Sequence, residues 1–224
     1  MVLDRTKQPE IKPLKRLELP LPKRLLLPNG SRFALLDETV QEDVFRLDIL
    51  INGGQWRQTM PLQSSFTNRM LGEGTRSMSS EEISEQLDRY GAWLEYGTGV
   101  STNSIYLFSL NKYAKETLNV LEKIIKEPSF PSEEFQVMVD NAKQQYLVNS
   151  KKVDSKARVA FNKMVLGTAH PCAKYACAED YDRIQTSSLM DFYTSYYHSQ
   201  NASVYLSGNP DKKVHDLVLN MFGE

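Results

Sequence analysis

Three polar side chains stand at helical spacing in the run SSFTNRMLGEGT, which begins at Ser64: Ser65, Asn68 and Arg69. Positions i, i+3 and i+4 share one face of a helix, so a helix here presents all three together. None of the three suits catalysis. A serine hydroxyl is a poor zinc ligand beside an imidazole. An asparagine amide cannot take a proton from an attacking water, and an arginine holds a fixed positive charge. Ser64 and Ser65 have no lysine three positions on and no histidine close in sequence, so they read as small packing residues rather than nucleophiles. The histidines are His170, His198 and His215, and none has a second histidine or a glutamate at motif spacing. Cys172 and Cys177, in HPCAKYAC, make a poor metal site. They are expected as two buried thiols, with a local disulfide as the alternative in an exported protein.

The elements that must position these residues follow from periodicity. The chain has 224 residues, 41% hydrophobic and 25% charged, and a formal net charge of -1. That is ordinary globular composition without the basic footprint of a nucleic-acid binder. No apolar run approaches the ~20 residues of a membrane-spanning helix, and the start lacks the apolar stretch of a signal peptide. Pro9, Pro13, Pro20 and Pro22 make residues 1–22 an extended lead-in. Order is expected from Lys23, where two apolar runs flank the Asn29-Gly30 turn of a hairpin. In DVFRLDILINGG, Phe45, Leu47, Ile49 and Ile51 share one face of a half-buried strand. A helix over QTMPLQSSFTNRML stops at Gly72. A second, SSEEISEQLDRYG, opens with a Ser79–Glu82 capping box and closes on Gly91. Two strands, AWLEYGT and TNSIYLFSL, come next. The helices that follow carry Ala114, Leu118, Leu121 and Ile125 on one face, then Phe135, Val139, Ala142 and Tyr146 on another. One late strand, NASVYLSG, precedes a closing helix. Without strict strand–helix alternation, the order predicts an α+β fold, a mainly antiparallel sheet with helices on one face, in a single domain over 23–224.

This succession resembles the first domain of the pitrilysin/insulinase family of zinc peptidases, which includes the mitochondrial processing peptidases. The resemblance rests on MLGEGT followed by SSEEISEQLDRYGAWLEYGT, then LEKIIKEPSFPSEEF, then LGTAHPC. The family signature is His-x-x-Glu-His on one helix, two zinc ligands with a general base between them. Registered on Met70 and Gly74-Thr75, Ser65, Asn68 and Arg69 stand where the family has His, Glu and His. Registered on FPSEEF, Gln145 or Tyr146 stands where the family has its glutamate ligand, and 141–153 contains no carboxylate. A cation ~4 Å from a unit positive charge costs about 4 kcal/mol at an effective dielectric near 20, and a dication about twice that.

The resemblance therefore implies a catalytically inactive domain of a longer two-domain protein, with no metal site and the family zinc absent. It implies an active zinc-peptidase subunit or second half as partner, peptide or protein as substrate, no nucleic acid, and no membrane span, with a dimer left open. Exported or periplasmic placement is the corresponding expectation. A purely structural interaction module is the alternative. Glu95, Tyr96, Gly97 and Thr98 stand where the family has the edge strand that pairs with substrate backbone. Strand addition needs only main-chain groups and survives loss of the chemistry. The competing reading is an edge covered by its own side chains. Arg69 is expected to be ion-paired, with Glu73, Glu95 or a carboxylate of the long helix. In an open chamber it would instead stand partly exposed near that edge.

Overall fold

A computed structural model describes residues 20–37 and 41–223. Of the expected lead-in, residues 1–19 lie outside the described residues. Strands β1 (Lys23–Leu26) and β2 (Arg32–Leu36) form the expected antiparallel hairpin. Its turn needs Gly30 at φ 87°, and the Asn29 side chain accepts from Ser31 N at 3.0 Å. With β3 (Val44–Ile51), β4 (Trp93–Thr98), β5 (Asn103–Leu110) and β6 (Ala202–Gly208) they make one sheet in the order β1-β2-β6-β3-β5-β4. Only β2 and β6 run parallel. The late strand thus inserts between the hairpin and β3, and β4 is left at an edge, paired among the described residues only with β5.

The period-two pattern sorts the faces. Phe45, Leu47, Ile49 and Ile51 of β3 are buried, as are Ile105 and Leu107 of β5 and Val204 and Leu206 of β6. Arg46, Tyr106, Phe108 and Tyr205 fall on the other face. There the Arg46 guanidinium lies 4.7 Å from the Tyr106 ring centre and 5.0 Å from that of Phe108.

Helix α1 (Gln63–Met70) and a 3-10 turn, Leu71–Glu73, lead to α2 (Ser80–Arg89), whose capping box is present as read. Gly91, at φ 61°, lets the chain leave α2 into β4. The α3 helix (Ala114–Lys126) buries Ala114, Leu118, Leu121 and Ile124, while Ile125 is half-buried. On α4 (Ser132–Asn149) only Phe135, Met138 and Val139 are buried, all in its first half. Next, α5 (Val153–Leu166) buries nothing. Short α6 (Ala178–Arg183), α7 (Thr186–Tyr196) and α8 (Lys212–Gly223) complete the chain. One hydrophobic cluster runs from Leu27 to Phe222. Among the described residues no helix is long and apolar enough to cross a membrane.

Candidate functional site

Helix α1 is held in place by polar contacts as well as by its buried Phe66 and Met70. It enters from Leu62 at φ 74°, a left-handed backbone that a leucine adopts only at a cost of about 1–2 kcal/mol. Gln63, at the first position, secures that entry. Its side-chain oxygen accepts from Thr59 N at 2.9 Å, and its amide donates to Ser188 O at 2.8 Å, which ties α1 to α7.

The polar triplet on this helix does not meet at one point. Ser65 Oγ is half-buried and donates to Leu62 O at 3.0 Å, back into its own turn. Asn68 is completely buried. Its amide nitrogen donates to Gly97 O at 2.8 Å and to Ser104 O at 3.0 Å, and its side-chain oxygen accepts from the Tyr197 hydroxyl at 2.9 Å. Asn68 thus clamps α1 to the edge strand β4, to β5 and to the residue that ends α7. Behind it, Asn103 donates to Tyr197 Oη at 2.9 Å and to Ser64 O at 3.3 Å, while Ser64 Oγ donates to Gly53 O at 2.8 Å. Burial pushes the Tyr197 phenol well above its usual range, so it stays a neutral donor. These are neutral hydrogen bonds in a low-dielectric interior, where each unmade one is costly.

Arg69 departs from expectation. The ion pair with Glu73, Glu95 or the long helix is absent among the described residues, and Arg69 is exposed. Solvation of the guanidinium removes the cost that made a partner necessary. Arg69 lines a cleft of about 470 Å³ between the end of α1, helix α2 and strand β4, together with Glu73, Asp88, Trp93 and Tyr96. Glu73 accepts from Ser80 Oγ at 3.3 Å instead. The buried Tyr96 hydroxyl finds no hydrogen-bond partner among the described residues. Burial first, and the Glu73 carboxylate second, raise the pKa of this phenol. A methyl group at Gly72 would come within 2.8 Å of the Tyr96 oxygen, so this turn needs a glycine.

The four candidates on β4 divide by face. Tyr96 and the cleft lie on the helix side, whereas Glu95 alternates to the opposite, open face beside Tyr106. Gly97 contributes its carbonyl to the Asn68 clamp, and Thr98 is half-buried at the strand end. On α4, Gln145, one of the two residues offered for the ligand position, is exposed. Its neighbour Tyr146 turns inward, 5.5 Å from the Tyr181 ring, which meets Phe66 of α1 edge-on. The position opposite α1 is aromatic packing. The residues at these four positions do not fit a zinc ion: none is an imidazole, thiolate or carboxylate, and Asn68 has both ends of its amide committed. Among the described residues no group of three or more His, Cys, Asp or Glu could hold a metal.

The cysteines differ from expectation in burial alone. Both are free, with Cys172 half-buried and Cys177 exposed. Loop packing explains this: Trp56 Nε1 donates to Cys172 Sγ at 3.2 Å on the surface, and Cys177 starts α6 with its amide on Asp180. Asn103 and Tyr197 were missed as members of the clamp. Asn103 heads an alternating strand and Tyr197 sits in the run FYTSYYH, where aromatic packing is the natural expectation. The signal that could have found them was a buried-face position occupied by Asn at the start of β5.

No family model matches the sequence. The chain is similar to mitochondrial-processing peptidase subunit alpha-1 of Dictyostelium discoideum, 24% identical over 206 residues that cover 88% of this chain and 31% of that protein. Among solved structures it resembles a peptidase M16 inactive domain from Pseudomonas fluorescens, with a TM-score of 0.83 and 17% identity over 90% of this chain and 50% of that one. It also resembles a protease from Helicobacter pylori, with a TM-score of 0.82 and 15% identity over 92% and 51%. The periplasmic protease PqqL of Escherichia coli follows at 0.80 and 13% over 91% and 24%. What is shared at these identities is the fold. The chain spans about half the length of the first two of these structures, and less than a third of the curated relative.

Proposed function

We propose that this chain, which has the fold of the M16 peptidase domains, is a non-catalytic peptidase domain that holds extended peptide on β4 beside a catalytic partner half or subunit. The observation that carries the reading is the Asn68 clamp. Where the resemblance puts the family's general base, Asn68 carries a neutral amide whose three hydrogen bonds fasten α1 to Gly97, Ser104 and Tyr197. The edge is thereby stiffened from behind, while β4 has no strand on its outer side among the described residues. An extended peptide adds to such an edge by main-chain hydrogen bonds. The cleft beside it then receives a side chain, with Arg69 and Tyr96 among its lining residues. No hydrolytic step is assigned to these residues, and zinc is not part of the mechanism of this domain.

Hydrogen exchange with a casein digest as the peptide mixture tests this. The amides of residues 93–98 should gain protection when peptide is present, with the digest left uncut by mass spectrometry. Unchanged exchange across β4 at millimolar peptide would contradict the reading and favour a purely structural module.

A further inference from the structure

The second half of α4 and the whole of α5 stand apart from the hydrophobic core. Helix α5 contributes no buried residue, and only Ser155, Val159, Asn162 are half-buried toward the domain. Asn162 bonds the Tyr175 hydroxyl. Its large apolar side chains face water instead: Val153 is 82% exposed, Phe161 58%, Met164 78% and Val165 60%. Leu147 and Val148 at the end of α4 are exposed as well. At 3.6 residues per turn, Val153, Ala157, Ala160, Phe161, Met164 and Val165 fill one arc of roughly 140°. Lys156 and Lys163 flank that arc on one side and Arg158 on the other. A 14-residue helix is marginal in water unless an amphipathic face is packed, so this face needs a cover that the described residues do not supply.

Charge narrows what the cover is. Residues 151–166 hold five cations and one carboxylate, a net +4, which leaves -5 for the rest of a chain whose total is -1. None of Lys151, Lys152, Lys156, Arg158 and Lys163 is ion-paired among the described residues. A symmetric contact between two copies of α5 would set these cations against themselves. The proteins that share this fold or sequence extend well beyond the matched region, and the curated relative is by its name a subunit.

We infer that α5 is a docking helix for a separate partner subunit, whose receiving surface is an apolar groove rimmed by Asp and Glu. The mode is an amphipathic helix laid into a groove, with the apolar arc giving affinity and the flanking cations giving orientation and encounter rate. This rests on the paired role proposed above.

The experiment places p-benzoylphenylalanine at position 161 in the tagged full-length protein, expressed in its own host, with a second variant carrying it at exposed Glu85 as control. Irradiation, size-exclusion chromatography and mass spectrometry of the adduct are the readouts. The expected result is an adduct from position 161, not from 85, to a second peptidase-fold polypeptide at apolar residues bordered by carboxylates. The triple change Lys156→Glu, Arg158→Glu, Lys163→Glu, all at exposed positions, should cut that adduct at least tenfold while leaving the melting curve unchanged. Adducts to another copy of the chain or to lipid overturn the inference. So does the absence of any adduct in a complex that still co-elutes with a peptidase-fold partner, which leaves the paired role standing. If no peptidase-fold partner co-elutes at all, the paired role fails together with the inference.

Discussion

Replacing Asn68 with alanine should weaken this fold more than any change at the exposed positions of α1. Three hydrogen bonds disappear at once, from Asn68 to Gly97 O, to Ser104 O and from Tyr197. Each is worth about 1 kcal/mol net, and the buried acceptors left bare add a desolvation cost, so the loss is about 3–5 kcal/mol. Gly97 O retains the longer 3.3 Å contact from Ser104 Oγ. In a domain of this size about 4 kcal/mol lowers Tm by roughly 8–16 °C. Asn68→Asp sharpens the test through its pH dependence. A carboxylate there would face two carbonyl oxygens with no water, so its folded pKa rises above the unfolded value near 3.9. A group with a raised folded pKa contributes stability below the unfolded pKa and loses it as pH rises. The aspartate variant should therefore be closest to wild type below about pH 4, and should fall below Asn68→Ala by pH 7. Urea unfolding followed by circular dichroism between pH 3.5 and 8 reads both effects. A loss under 1 kcal/mol for the alanine variant, or a flat pH profile for the aspartate variant, would refute the clamp.

Other expectations follow from individual contacts. Arg69→Ala should leave stability within about 0.5 kcal/mol, since the side chain is exposed and unpaired among the described residues; a larger loss in urea unfolding would mean the guanidinium is held after all. Gly208→Ala should cost about 1–3 kcal/mol, because φ is 107° and the added methyl would meet Val44 O at 2.6 Å; an unchanged melting curve would contradict the close approach. Cys177 should alkylate sluggishly at neutral pH, because the Glu179 and then the Asp180 carboxylates raise its thiol pKa. Glu179→Gln should shift the pH profile of iodoacetamide labelling downward, and a profile unmoved by that change would show the carboxylate is not involved.

How much of this was legible beforehand depended on the kind of signal. The Asn29-Gly30 hairpin, the alternation of β3 and the Ser79–Glu82 capping box are local patterns, set by turn chemistry and burial within a few residues. The parallel insertion of β6 between β2 and β3 is a long-range pairing with no local signature. That Ser65, Asn68 and Arg69 offer no imidazole or carboxylate could be read directly. What Asn68 does instead could not be, since its partners come from residues 97, 104 and 197. Arg69 was expected to be paired in a closed chamber, whereas it stands exposed beside an open cleft, as the alternative had it. The bare apolar arc of α5 had no such signal, because periodicity reports a face without saying what lies against it.

The central claim, a peptidase fold that holds peptide without a hydrolytic centre, meets its most direct test in metal stoichiometry. The purified protein should be equilibrated with a slight excess of zinc, desalted and measured by elemental analysis, with turnover of a casein digest followed in parallel. The account predicts well under one zinc per chain and no cleavage. One tightly held zinc per chain, lost to chelator together with peptidase activity, would contradict it.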